Sequence, residues 1–246
     1  MDQSRVEPVV LRAVDRLRKH LGRDVSALYL RGSAARGEWI PGLSDVDFYL
    51  VIKDDLPGKQ AVIGSEVGQV LQLGSLEPQI SCKVVTESDV RQNRIGSYLT
   101  GLDARLLLGD AVLEGLQAPT LSELRTYGQH YSEYIGRYWK AIRDYRDTFA
   151  EEVRRLDYLV LKSAQSMLMA HGVVALEKAE VAELFLKEFR DLPLAYVVGK
   201  AGEFRFSWPE PIEHLRELSV FREEAASFLS ELENCSKAKR SSQSPK

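Results

Sequence analysis

The segment LYLRGSAARGEWIPGLSDVDFYLVI, residues 28–52, constrains this chain more than any other. Two runs of strand-forming residues, VSALYL from Val25 and DVDFYLVIK from Asp45, enclose a Gly-Ser pair, a stretch suited to a short helix, a Pro41-Gly42 turn and Ser44. Side chains two apart in a strand point the same way, so Asp45 and Asp47 project from one face with Val46 turned to the core. Two carboxylates that close repel each other unless a cation lies between them. A hard divalent ion with oxygen ligands, such as Mg²⁺, satisfies both. Gly32 lets the backbone approach a phosphate without a clashing Cβ. Ser33 adds a hydroxyl, and the short helix after it adds free N–H groups and a positive dipole end. A metal-holding strand edge facing a phosphate-holding turn suits chemistry at nucleotide phosphates, where positioning and charge neutralisation supply most of the catalysis.

Around this segment, strand and helix signals alternate to about residue 113. Val6, Val9, Val10, Ala13, Val14, Leu17 and Leu21 form one helical stripe that stops at Gly22. Residues 59–73 read as a helix weakened by Gly64 and Gly68, QISCKVVT (79–86) as a third strand, and Ser88 as the cap of a further helix. Ala104–Leu108 reads equally as a strand or a helix end. After Pro119 the pattern turns wholly helical, with helices expected over 120–147, 150–171, 177–190 and 212–233 and a turn at Trp208-Pro209-Glu210-Pro211. Tyr127, Tyr131, Tyr134, Tyr138 and Tyr145 share a stripe of the first, expected to be core. The expectation is an α+β fold: a domain with a short mixed sheet over 1–115, then an all-α helical bundle domain over 119–235 that closes a cleft, and a disordered polar tail at 236–246.

Composition excludes several classes. The 246 residues are 44% hydrophobic and 28% charged, with a formal net charge of −3. That balance gives no general reason to bind nucleic acid or an anionic membrane. No run approaches the ~20 apolar residues of a membrane span, and no signal core opens the chain. Cys82 and Cys235 are far apart and lack metal-ligand spacing, which fits a reducing compartment and a cytoplasmic location. His20, His130, His171 and His214 are scattered, and His171 before Gly172 reads as a helix C-cap. A homodimer is left open.

Gly32-Ser33, Ala35-Arg36-Gly37 and Ser44-Asp45-Val46-Asp47 resemble the DNA polymerase β-like nucleotidyltransferase superfamily, in the form found in minimal nucleotidyltransferases and aminoglycoside adenylyltransferases. The close resemblance covers residues 28–52. The helical half resembles, loosely, the helical domain of aminoglycoside adenylyltransferase-like proteins. The resemblance implies transfer of a nucleoside monophosphate, AMP from ATP or another NTP with Mg²⁺, to a hydroxyl of a small molecule or protein. By it, Asp45 and Asp47 are catalytic and hold the metal, while Gly32, Ser33, Arg36 and Ser44 bind the nucleotide. Arg36 stands equally well as a partner of Glu38.

One departure matters. The superfamily takes a third carboxylate, its general base, from the strand that here reads QISCKVVT, and the matching position is Ser81, with Lys83 on the same face. Three explanations stay open. Another carboxylate serves (Glu77, Glu87, Glu133 or Asp144), or the acceptor needs little help, or transfer is lost and a nucleotide-binding regulatory or antitoxin-like protein remains.

Overall fold

The computed structural model describes residues 6–40, 44–54, 63, 67, 80–145, 148–204 and 215–241. The chain divides into two compact units, Met1–Pro119 and Thr120–Lys246.

The first unit is built on a four-stranded mixed sheet of order β3-β2-β1-β4. Helix α1 (Val6–Leu21) ends at Gly22, whose φ of +49° favours glycine. A 3₁₀ turn at Gly22–Asp24 leads into β1 (Val25–Arg31), followed by the short α2 (Gly32–Arg36), β2 (Val46–Ile52), β3 (Ile80–Thr86), α3 (Glu87–Gln92), α4 (Arg94–Gly101) and β4 (Arg105–Gly109). The segment left open between strand and helix is therefore a strand, and it pairs antiparallel with β1. Strand β1 also pairs antiparallel with β2, which runs parallel to β3. Helix α3 is capped by Thr86 and not by Ser88: the Thr86 hydroxyl accepts from the Asp89 N–H, and the Asp89 carboxylate accepts from the Thr86 N–H.

Both sheet faces are covered. On one, Leu28, Leu30, Val46, Phe48, Leu50 and Ile52 pack against Val6, Val10, Ala13 and Leu17 of α1. On the other, Ala27, Tyr29, Tyr49, Val51 and Val85 meet Val90 of α3 and Leu113. Burial of each large apolar side chain contributes about 1.5–3 kcal/mol. Strands wet on neither face read as near-continuous apolar runs, which explains VSALYL and DFYLVI. Of the helix expected over 59–73, Ile63 and Val67 are helical and buried; the rest lies outside the described residues, as do the turns at Pro41-Gly42 and 208–211, Glu77 and His214.

The second unit is all-helical: α5 (Leu121–Ile142), α6 (Phe149–Ala170), α7 (Lys178–Glu188), α8 (Tyr196–Phe204) and α9 (Leu215–Ser241). Helix α9 extends to Ser241, past the end at 233 expected from sequence. The tyrosine stripe of α5 is mostly outside the core, with only Tyr131 packing against it. Leu124, Gly128, Ile135 and Trp139 are the buried positions, while Tyr134 and Tyr138 are exposed and stack in a ladder with Tyr127 and Tyr131, ring centroids 6.0–6.4 Å apart. The helix carries two stripes, and the one ending in Ile135 and Trp139 is the more apolar, so that one turns inward. Gly128 lets α5 approach α6 closely, since a Cβ there would lie 2.3 Å from the Ala170 nitrogen. His171 is the C-cap of α6, as read from sequence. Among the described residues no helix is long and apolar enough to cross a membrane.

Candidate active site

The Gly-Ser bend and the Asp-x-Asp strand meet because β1 and β2 are adjacent and antiparallel. Arg31, the last residue of β1, pairs across from Asp47 near the start of β2. The chain then turns at Gly32, where φ is +67°. A Cβ on Gly32 would stand 3.2 Å from Oδ2 of Asp47, so the bend lies directly against that carboxylate. Val46 is fully buried in the core on the α1 side, and the partly exposed Asp45 and Asp47 flank it.

The connection from α2 to β2 is pinned by its own groups. Gly37 closes α2 in the left-handed region at φ +80°, and the Glu38 N–H donates to the Ser33 carbonyl at 2.8 Å. The buried Trp39 donates its indole N–H to the Ser44 carbonyl at 2.7 Å, and the Ser44 N–H donates to the Ile40 carbonyl at 2.9 Å. These bonds fix where Asp45 enters the strand. The Ser44 hydroxyl is itself buried and finds no partner among the described residues.

Arg36 takes the second of its two readings. Its guanidinium donates to Glu38 at 2.9 Å and to Asp103 at 2.5 Å and is largely buried. It ties the end of α2 to the turn before β4.

Ser81, the position that the resemblance gives to a third carboxylate, lies beside Asp47. Ser81 pairs with Asp47 in the parallel β2–β3 register, and its hydroxyl donates to Oδ1 of Asp47. Arg31, Asp47 and Ser81 therefore form one rung across three strands, all on the face away from α1. The next rung on that face is Tyr29, Tyr49 and Lys83. The Lys83 ammonium lies 5.7 Å from the Tyr49 ring centroid. Its pKa is lowered, first by partial desolvation and then by the Arg31 charge, against the opposing charge of Asp89. Burial likewise raises the Tyr49 phenol. Cys82 points to the opposite face, packed against the α1-side core, and burial pushes its thiol up to about 12, so it stays protonated and inert at neutral pH.

Of the proposed substitute bases, Glu87 is ruled out by distance along the sheet. It follows the far end of β3, six residues or roughly 20 Å from Ser81, and accepts a hydrogen bond from Ser26. Glu133 and Asp144 belong to the helical unit, beside Arg137 and Arg143 respectively.

Residues 10–99 match the family model of the nucleotidyltransferase domain. Within the first unit, residues 10–99 are thus similar to a nucleotidyltransferase domain. The match covers the bend, both acids and strands β1, β2 and β3, so it extends the resemblance read from residues 28–52 to three of the four strands. A comparison with curated protein sequences gives no match. Among solved structures, spectinomycin adenyltransferase AAD(9) from Enterococcus faecialis, with ATP and spectinomycin, shares the fold at a TM-score of 0.61 and 16% identity, covering 94% of this chain and 99% of that one. Both the nucleotidyltransferase domain and the helical region after it thus follow an aminoglycoside adenylyltransferase-like fold, the α+β class expected from sequence.

By sequence Arg31 is a weaker candidate than Arg36, yet its place at the end of a strand paired with the Asp-x-Asp strand sets it beside Asp47. The antiparallel pairing that brings them together is not written in the local pattern.

Proposed function

We propose that this protein transfers AMP from ATP to a hydroxyl of a small molecule, with Mg²⁺. The observation that carries the reading is the Gly32 bend set against the Asp47 carboxylate inside a nucleotidyltransferase domain. The AAD(9) structure, solved with ATP and spectinomycin, supports an adenylyl donor and a small acceptor. We assign the transfer site to residues 1–115 and treat 119–235 as the helical domain. ATP as donor fits the cytoplasm.

The residues present fit a hard divalent ion. Asp45 and Asp47 offer hard oxygen ligands on either side of a buried residue, and Mg²⁺ commonly binds through one or two carboxylates, with phosphate oxygens and water completing its shell. Among the described residues no group of three or more His, Cys, Asp or Glu gathers as a metal site, so the protein would supply at most these two carboxylates. When bound, the ion neutralises charge on the triphosphate. Gly32 and Ser33 hold the triphosphate against β1, and Ser44 fixes the entry of Asp45. Arg36 acts as a brace for α2. The acceptor oxygen bonds to the α-phosphorus, the bond to pyrophosphate breaks, and the hydroxyl proton passes to solvent. Ser81 does not take that proton, since a serine hydroxyl is no base at neutral pH. It orients Asp47 by hydrogen bonding.

The hydrogen bond from Ser81 also favours a second reading, a regulatory or antitoxin-like protein that binds nucleotide without transfer. Incubation with labelled ATP and Mg²⁺ separates the two. Pyrophosphate release that Asp45→Asn with Asp47→Asn abolishes supports transfer. Mg²⁺-dependent binding without release supports the second reading. Release that survives the double substitution removes the site assignment.

A further inference from the structure

We propose that the acceptor is anionic, carrying a phosphate or carboxylate beside the hydroxyl it presents, and that Lys83 pairs with that group. This deepens the transfer reading and rests on it for the place of the acceptor.

The sheet order divides the site. Strand β2, with Asp47, lies between β1 and β3. The Gly32 bend leaves from β1, so the triphosphate belongs on that side. The remaining side belongs to the acceptor, and its wall is β3. In this chain that wall carries no carboxylate on the Asp47 face: the residues that follow one another there are Ser81, Lys83 and Val85. Ser81 removes a negative charge from the wall, and Lys83, two residues or about 7 Å further along, adds a positive one. The change of sign is local and sits beside the attacking hydroxyl.

Lys83 is also held in place. Its ammonium lies over the Tyr49 ring, which brings the charge from the edge strand back across β2. Its side chain is exposed, and among the described residues its recorded partners are that ring and the more distant charges of Arg31 and Asp89. The Asp89 carboxylate is engaged in capping α3. Arg31 and Lys83 are like charges close enough to disfavour each other, as paired carboxylates do, and an anion relieves the repulsion. A polycationic acceptor meets the opposite situation, with repulsion from both.

The test measures binding, so that it does not depend on turnover. Glycerol 3-phosphate (a hydroxyl beside a phosphate), glycerol and spectinomycin are titrated by calorimetry into the protein saturated with Mg²⁺ and a non-hydrolysable ATP analogue. The expected result is affinity for glycerol 3-phosphate at least about tenfold above that for glycerol, since one well-placed charge-assisted contact is worth that much. Lys83→Met removes the preference, Lys83→Arg retains it, and both bind the ATP analogue as the parent does. Equal binding of glycerol and its phosphate, a preference that survives Lys83→Met, or tighter binding of spectinomycin overturns the proposal. Should the ATP analogue fail to bind, the transfer reading fails. The same titration without nucleotide then still decides whether Lys83 selects an anion.

Discussion

Ser81 donates its hydroxyl to Asp47 from the neighbouring parallel strand, at the position to which the family resemblance assigns a third carboxylate. Ser81→Asp should restore that carboxylate. Without metal, three acids on one face repel, and like charges directly opposite one another on a sheet cost up to about 1 kcal/mol, so the variant should melt below the parent. With Mg²⁺ the order should reverse. A melting series against Mg²⁺ concentration checks this: the midpoint for stabilisation should fall several-fold in Ser81→Asp and stay near the parent value in Ser81→Ala.

Gly32 joins backbone strain to the site. An Ala there must hold φ at +67°, which costs about 1–2 kcal/mol for an L side chain. Its Cβ must also fit 3.2 Å from Asp47 Oδ2. Gly32→Ala should lower unfolding free energy by about that amount in urea titrations. Its loss of Mg·ATP binding should exceed what Gly22→Ala causes, because a Cβ at Gly22, also at positive φ, meets nothing within 4 Å.

Much of this was legible beforehand, and the divide follows the range of the interactions. The strands β1, β2 and β3 came out within a residue or two because strands buried on both faces must be apolar runs, and such runs show locally. The Gly-Ser and Asp-x-Asp pair was legible because few residue types serve a tight bend or a metal. Strand order, the Arg31–Asp47–Ser81 rung and β4 depend on pairings between distant segments, such as Leu28 with Leu108, that no local pattern encodes. The tyrosine stripe misled because periodicity reports a face without saying which face is buried. Gly128 marks where the neighbouring helix comes close, while Gly136 in the same helix meets nothing within 4 Å, so a helical glycine alone does not settle the buried face.

Arg36 separates a structural from a nucleotide-binding role. Its guanidinium bridges Glu38 and Asp103 with only 14% of the side chain exposed. Arg36→Ala leaves two partly buried carboxylates without their cation. The pairs are not sealed from water, so the cost should be about 1–3 kcal/mol, below that of a fully buried network. Affinity for Mg·ATP, measured well below the melting temperature, should change less than about threefold. A loss of ten- to hundredfold with unchanged stability would return Arg36 to the phosphate site.

Alkaline pH should destabilise the first unit through buried groups with raised pKa values, Tyr29 and Cys82 foremost and Tyr49 beside them. The Tyr29 hydroxyl accepts from the Leu113 N–H at 3.1 Å and donates to Glu114 at 2.9 Å, and burial, the largest cause, raises its pKa from 10.0 to about 12. Burial takes the Cys82 thiol from 9.0 to about 12. In both cases the unfolded chain releases its proton at lower pH than the native one. Their contribution to stability is therefore complete below about pH 9 and is lost as pH rises toward 12. Tyr29→Phe should cost about 1 kcal/mol at pH 7 through its lost hydrogen bonds, yet flatten the decline between pH 10 and 12. Cys82→Ala should flatten the part that begins near pH 9. Urea titrations at pH 7, 9, 10 and 11 on parent and variants measure both slopes. An unaltered alkaline slope in the double variant would mean that other groups carry the transition.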